Sequence, residues 1–198
     1  MPNRHVSQMR ARAVTGMFEI DTRSGLLKGV RLVASPNCDT RPAESSIDVL
    51  VIHAISLPAG QFGGLAIEQL FCNCLDPNEH PTFREIHELE VSAHLLIRRD
   101  GEIVQFVPFH LRAWHAGQSI CEGRARVNDF SVGIELEGTD DVPFEVAQYE
   151  VLTKITRALM AAYPAITRER IYGHCHIAAG RKTDPGPLFD WKRYLEAL

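Results

Sequence analysis

Apolar and polar positions follow two periods along this chain. Val49-Leu50-Val51-Ile52 is an unbroken apolar run, and with Asp48 before it the pattern predicts a strand over 48–52 that is covered on both faces. A further strand is expected over 29–33. Ser92 to Ile97 and Glu102 to Val107 flank Arg98-Arg99-Asp100-Gly101, where Asp-Gly between β-rich runs predicts an antiparallel hairpin. Ser131 to Glu137 alternates, with Val132, Ile134 and Leu136 on one face and Gly133, Glu135 and Glu137 on the other. That pattern predicts a strand that buries one side and shows its carboxylates on the other. From Phe144 to Tyr163, Val151, Leu152, Ile155, Leu159 and Ala162 recur at helical spacing until Pro164, which marks the longest helix. Leu65 to Phe71 reads as a short helix and Ile171 to His174 as a last strand. Pro185-Gly186-Pro187 forms a rigid loop, and Asp190 is placed to cap a closing helix from Trp191. The stretch from Pro108 to Asn128 carries few signals of either kind, and structureless loops of that length are usually functional. Strands mixed with helices give an α/β layered domain.

Composition narrows the class. With 198 residues, 45% apolar and 23% charged, the chain has the mix of one soluble globular domain. A formal net charge of −4 leaves no positive surplus to hold a phosphate backbone, so no nucleic-acid partner is expected. Cys38, Cys72, Cys74, Cys121 and Cys175 form no C-x-x-C pair, which fits reduced thiols in a cytosolic compartment. Residues 1–24 carry Arg4, Arg10, Arg12 and Arg23 without a continuous apolar stretch. A secretion signal and a membrane partner are therefore not expected, and 1–24 read as a disordered extension before a single domain at 25–198.

Nine histidines make proton transfer and metal ligation the chemistry to test. His53 follows the buried apolar run and His174 ends another strand, so both can reach a crevice at the carboxyl edge of a sheet, with Asp184 in the loop nearby. Two imidazoles and a carboxylate with an open fourth position are the ligand types of a catalytic zinc site. By spacing alone, a partly buried, hydrogen-bonded core histidine is the commoner explanation of His53. Glu135 and Glu137 are either solvated carboxylates of a half-exposed sheet or, near such a site, a general base. Lys182 is either a surface charge or a fixed cation for an oxyanion. Trp114 and His115 are either loop packing or an aromatic platform for a sugar or peptide.

Longer segments carry a resemblance. Val51 to Pro58, Val91 to His94, Ala113 to Gly117, Asn128 to Asp140, Gly173 to Ala178 and Arg181 to Pro187 together resemble the AmpD family, in order and without large gaps from about Gly25 to the end. AmpD-type enzymes are bacterial cytosolic amidases that cleave anhydro-N-acetylmuramoyl-L-alanine bonds during cell-wall recycling. The resemblance implies a mixed sheet flanked by helices, as in phage lysozyme-like amidases and peptidoglycan recognition proteins. It implies a Zn2+ cofactor held by His53, His174 and Asp184, with Glu135 as catalytic glutamate and Lys182 as transition-state lysine. Glu137 becomes a neighbour. An anhydro-muramoyl peptide is the expected partner, and Trp114, His115, Arg124 and Arg126 are candidate substrate contacts, the arginines for its acidic peptide. A cytoplasmic monomer is expected.

Two positions depart from the family pattern. It commonly has Asn after the first ligand histidine and Asp two residues after the second, where this chain has Ala54 and His176. Ala54 removes a possible substrate hydrogen bond, and His176 brings an imidazole that either competes for the metal or lines the wall. Three other readings stay in view. One is a muropeptide-binding module without catalysis, disfavoured because all three ligand positions are filled. The others are an amidase of intact cell wall and a cysteine hydrolase built on Cys175.

Overall fold

The structure, a computed structural model, describes residues 17–198. Six strands form the central sheet: β1 (Arg31–Leu32), β2 (Val49–Ile55), β3 (Leu95–Ile97), β4 (Ile103–Gln105), β5 (Ser131–Glu137) and β6 (Ile171–Gly173). Their spatial order is β6-β2-β5-β3-β4-β1. All neighbours run parallel except β3 and β4, which form the hairpin closed by Asp100-Gly101. The sheet is therefore mixed, as the resemblance implied. Its helices are α1 (Ala66–Phe71), α2 (Val146–Ala162), α3 (His174–Ile177) and α4 (Trp191–Glu196).

Alternation along β2 and β5 divides the core. Leu50, Ile52, Val132, Ile134 and Leu136 face α2, whose Leu152, Ile155 and Leu159 close over them together with Tyr194 of α4. Val49 and Val51 face the other way, onto Ala116, Cys121, Val127, Phe130 and Ile177. Next to them, Leu96 and Val104 meet Ile67, Leu70 and Phe71 of α1. A reciprocal Glu145–Gln148 capping box starts α2, and the buried Gln148 amide also donates to the carbonyls of Ile97 and Glu137. Asp190 accepts from the Arg193 N–H and so caps α4.

Several expectations change. The strand β5 lies between two parallel neighbours under cover on both faces, so all seven of its residues are buried, Glu135 and Glu137 included. The carboxylate face is interior, and its charges need partners. Glu137 has them: its oxygens accept from Gly63 N–H at 2.6 Å, Arg98 Nη1 at 3.1 Å and Arg99 N–H at 3.2 Å. Arg98 in turn binds Glu68, which forms a two-pronged pair with Arg31. The span 108–128 is not structureless, because Leu111–Ala113 pairs with Cys38–Thr40, and Ile120–Cys121 with Arg124–Ala125. Of the extension expected at 1–24, the described part enters the fold: Ile20–Asp21 pairs with Leu26–Leu27, and Phe18 and Ile20 pack on the core. The remainder of it lies outside the described residues. Among the described residues, no helix is long and apolar enough to cross a membrane.

Candidate metal centre

The parallel register of β2 and β5 pairs His53 with Glu135, while β6 ends at Gly173 opposite Ile52. The residue after Gly173 is His174, so one more step of the chain brings it to the row of His53 and Glu135. All three stand at the carboxyl ends of parallel strands, where α/β sheets open a crevice. His174 is not the end of a strand but the first residue of α3. Asp184 returns on the following loop, and its carbonyl accepts the Cys175 N–H at 2.8 Å.

Three atoms converge there. His53 Nδ1 lies 3.0 Å from His174 Nδ1 and 3.1 Å from Asp184 Oδ2, and His174 Nδ1 lies 3.0 Å from the same Oδ2. Four-coordinate zinc with bonds of roughly 2.0–2.1 Å spaces its ligand atoms about 3.3–3.4 Å apart, so the triangle needs to open by only a few tenths of an ångström. Among the described residues this is the cluster of His, Cys, Asp and Glu able to hold a metal ion.

The hydrogen bonds behind the triangle show what its centre requires. His174 Nε2 lies 3.1 Å from the Ala116 carbonyl, which can only accept, so Nε2 carries the proton and Nδ1 a lone pair. His53 Nε2 lies 2.9 Å from His115 Nδ1. His115 Nε2 meets Ser131 Oγ at 3.1 Å, and Ser131 spends its one hydroxyl proton on the Val127 carbonyl at 2.7 Å. His115 therefore donates from Nε2 and accepts at Nδ1, which leaves the His53 proton on Nε2 and its Nδ1 lone pair inward. Two lone pairs and a carboxylate oxygen then face one point, an arrangement that only a cation satisfies.

Electrostatics agree with that inventory. Burial lowers the His53 imidazole to about 4, so it does not supply the positive charge itself near neutral pH. Burial likewise takes His115 well below the usual histidine range. Burial pushes the Asp184 carboxyl up, but its contacts with His174 and His53 outweigh this and hold it below the usual carboxylate range. Glu135 moves the other way: burial raises it well above that range, the Asp184 charge adds to the rise, and Lys182 opposes it. Glu135 Oε2 is buried and has no hydrogen-bond partner among the described residues. A buried carboxylate with one oxygen left unpaired beside a metal triangle is equipped for proton transfer.

The remaining candidates separate. Lys182 is exposed and lines a cleft of about 600 Å³ together with Ala54, Asp140 and Asp184. A larger cleft, about 800 Å³, lies beside α3 and is lined by Arg126, Ile120, His176 and Ala178 among others; Arg181 borders both. Arg126 is mostly exposed and pairs with Asp129 at 2.8 Å. Arg124 is not available as a substrate contact in the same way: it binds the buried Asp48 at 3.0 Å and stacks 3.9 Å over Phe130, so its charge serves the fold. His115 is no open aromatic platform, because both its ring nitrogens are committed to His53 and Ser131. Trp114 is half-buried, with Nε1 3.4 Å from Asp39. His176 turns away from the triangle, since its Nδ1 caps α3 by accepting the Gly173 N–H at 2.9 Å and its ring lies 5.3 Å from that of Trp191. Cys175 sits in α3, where burial raises its thiol and disfavours the nucleophilic thiolate. Sequence reasoning does not single out Ser131 or Asn128, whose side-chain oxygen accepts both the His115 and Ala116 N–H groups. Their sign in the sequence is that both fall within the segment Asn128 to Asp140 that resembles the AmpD family.

Known proteins share this fold and much of this sequence. The family model described as N-acetylmuramoyl-L-alanine amidase matches residues 43–187. The 1,6-anhydro-N-acetylmuramyl-L-alanine amidase AmpD of Escherichia coli (strain K12) is 58% identical over 170 residues, covering 86% of this chain and 92% of that protein. A crystal structure of a selenomethionine AmpD derivative superposes with a TM-score of 0.86 at 55% identity, over 88% of this chain and 97% of its own. The E. coli amidase AmiD, solved with the substrate anhydro-N-acetylmuramic acid-L-Ala-D-gamma-Glu-L-Lys, superposes with a TM-score of 0.56 at 31% identity, over 79% of this chain and 60% of its own. Sheet, order of elements and sequence thus agree over most of the length, and the chain belongs to the N-acetylmuramoyl-L-alanine amidases, within them to the AmpD family.

Proposed function

We propose that this amidase is zinc-dependent and hydrolyses the amide between the lactyl group of 1,6-anhydro-N-acetylmuramic acid and L-alanine, releasing sugar and peptide inside the cell for cell-wall recycling. The observation that carries this reading is the triangle of His53 Nδ1, His174 Nδ1 and Asp184 Oδ2 with the unpartnered Glu135 in register beside it. The substrate class comes from the relatives, one of which was solved with such a muropeptide.

When bound at His53, His174 and Asp184, zinc supplies Lewis-acid polarisation and a water that is acidic near neutral pH. The chain's own residues do the rest. Glu135 takes a proton from the attacking water as its oxygen adds to the amide carbonyl carbon. It then delivers that proton to the alanine nitrogen as the carbon–nitrogen bond breaks. Burial raises the Glu135 carboxyl, which makes its carboxylate a stronger base for the first task while the acid form still serves the second. Lys182, in the cleft next to Asp184, offers fixed positive charge to the oxyanion of the tetrahedral intermediate. Arg126 and Arg181 in the larger cleft present cations to the acidic stem peptide. Ala54 lines the smaller cleft with a methyl group, so that side chain contributes shape and no hydrogen bond.

Incubation of the zinc-loaded protein with anhydro-N-acetylmuramoyl tripeptide should release free anhydro sugar and free peptide, both read by mass spectrometry. Equal kcat/KM on the reducing-end analogue, or efficient digestion of whole sacculi, would shift the assignment to a general wall amidase. No cleavage of any muropeptide would leave a binding module.

A further inference from the structure

The His115-Ala116 segment lies directly behind the metal triangle, where Ala116 packs into the core and both residues hydrogen-bond to the histidines of the triangle. His115 Nδ1 faces His53 Nε2 at 2.9 Å, and the Ala116 carbonyl faces His174 Nε2 at 3.1 Å. Two consecutive residues thereby meet the outward nitrogens of both histidine ligands. The segment is itself pinned: Asn128 Oδ1 accepts the His115 N–H at 3.2 Å and the Ala116 N–H at 2.8 Å. Room for the imidazole is made by Gly133, where a Cβ would collide with His115 Cγ, Nδ1 and Cδ2. A glycine in the middle of a central strand weakens it, so this one has a packing reason.

Direction matters as much as contact. An imidazole lying between His53 and Ser131 has two neutral tautomers, and only one leaves Nδ1 able to accept. Ser131 Oγ can accept from His115 Nε2 because its own proton is taken by the Val127 carbonyl, which cannot donate. The series therefore has one sense, from His53 through His115 and Ser131 to a carbonyl that ends it.

We propose that His115 is a positioning residue for the metal centre, holding His53 in the tautomer whose Nδ1 lone pair faces the metal, and that Ser131 and the Val127 carbonyl set His115 for that task. The inference rests on the zinc reading given above. It assigns His115 no contact with substrate and no proton transfer in the reaction. Outer partners of this kind orient the ligand ring and raise its basicity, and their loss typically costs about 10–100-fold in metal affinity or activity. Ser131 is one step further out, and its loss frees His115 to take the wrong tautomer for part of the time.

The test measures zinc affinity by competition with a chromophoric chelator for the wild-type chain, His115→Phe, His115→Asn and Ser131→Ala, alongside urea unfolding of each zinc-free protein. Phenylalanine keeps the ring over Gly133 and removes the acceptor, so zinc affinity should fall about 10–100-fold. Asparagine, whose Oδ1 stands close to the place of Nδ1, should recover most of that loss. Ser131→Ala should give an intermediate loss. In 15N spectra of the zinc-loaded wild-type protein, His115 should carry its proton on Nε2 with Nδ1 bare, a readout that needs no variant to fold. Zinc affinity within twofold of wild type in a folded His115→Phe, asparagine no better than phenylalanine, or a proton on His115 Nδ1 would overturn the inference while leaving the zinc site standing. Failure of the wild-type chain to bind zinc would instead remove the zinc reading, and the inference with it.

Discussion

Glu135 and Glu137 stand two residues apart on one buried strand face, and replacing each should have opposite consequences. Glu137→Ala removes an acceptor of two backbone N–H groups and of Arg98, all three within 3.2 Å. Arg98 keeps Glu68, so its charge is not wholly stranded, yet the backbone donors of Gly63 and Arg99 lose their acceptor. Removing one partner of a buried pair costs about 3–5 kcal/mol. For a domain of this size each kcal/mol shifts Tm by roughly 2–4 °C, so a loss of about 6–20 °C follows. Catalysis per folded molecule should stay within a few-fold, because Glu137 is engaged with Arg98 and the two backbone N–H groups and not with the triangle. Glu135→Gln removes a charge that burial disfavours and that no hydrogen bond repays, so stability should hold or rise. Turnover should fall about a hundredfold or more with zinc content unchanged, the usual loss for a missing general base. Calorimetric melting, zinc analysis and kcat on the anhydro-muropeptide separate the two outcomes. A Glu135→Gln protein of near-normal kcat, or a Glu137→Ala protein that melts normally but is inactive, would refute the division of roles.

Chelation should abolish hydrolysis and about one equivalent of added zinc should restore it, with elemental analysis as the check; full activity in metal-free protein would remove the mechanism. Lys182→Met should lower kcat about 100-fold or more while zinc affinity stays the same, as for the loss of one oxyanion-stabilising group; a change confined to KM would make Lys182 a binding residue instead. Burial lowers His94 from 6.5 to about 3, so the unfolded chain takes up a proton below pH 6.5 that the folded chain refuses. Stability is complete above that pH and declines as pH falls, by about 2 kcal/mol at pH 5 from this residue. Urea midpoints against pH should therefore flatten by that amount in His94→Gln.

Local pattern in the chain determined the elements whose signals are local. Val49 to Ile52 is apolar on both faces and became an inner parallel strand; Asp100-Gly101 closes the β3–β4 hairpin; the helical period after Phe144 became α2, and Asp190 caps α4. His53, His174, Asp184, Glu135 and Lys182 are legible in the sequence because their residue types and order resemble those of AmpD. Tertiary structure decided the rest, since the groups that meet are far apart in sequence. His53 is 121 residues from His174 and 131 from Asp184, and their contact depends on a parallel register that no local period specifies. Alternation alone left Glu135 and Glu137 on a solvent face; helices and loops on both sides of β5 buried them, and only then did one carboxylate acquire Arg98 and the other remain unpartnered. Arg124 and Arg126, two residues apart on the chain, likewise parted company when Asp48 and Phe130 folded against the first. A sequence specifies which side chains can carry charge, donate or accept, but the cost of burying them, which assigns each its role, exists only once the sheet has closed around them.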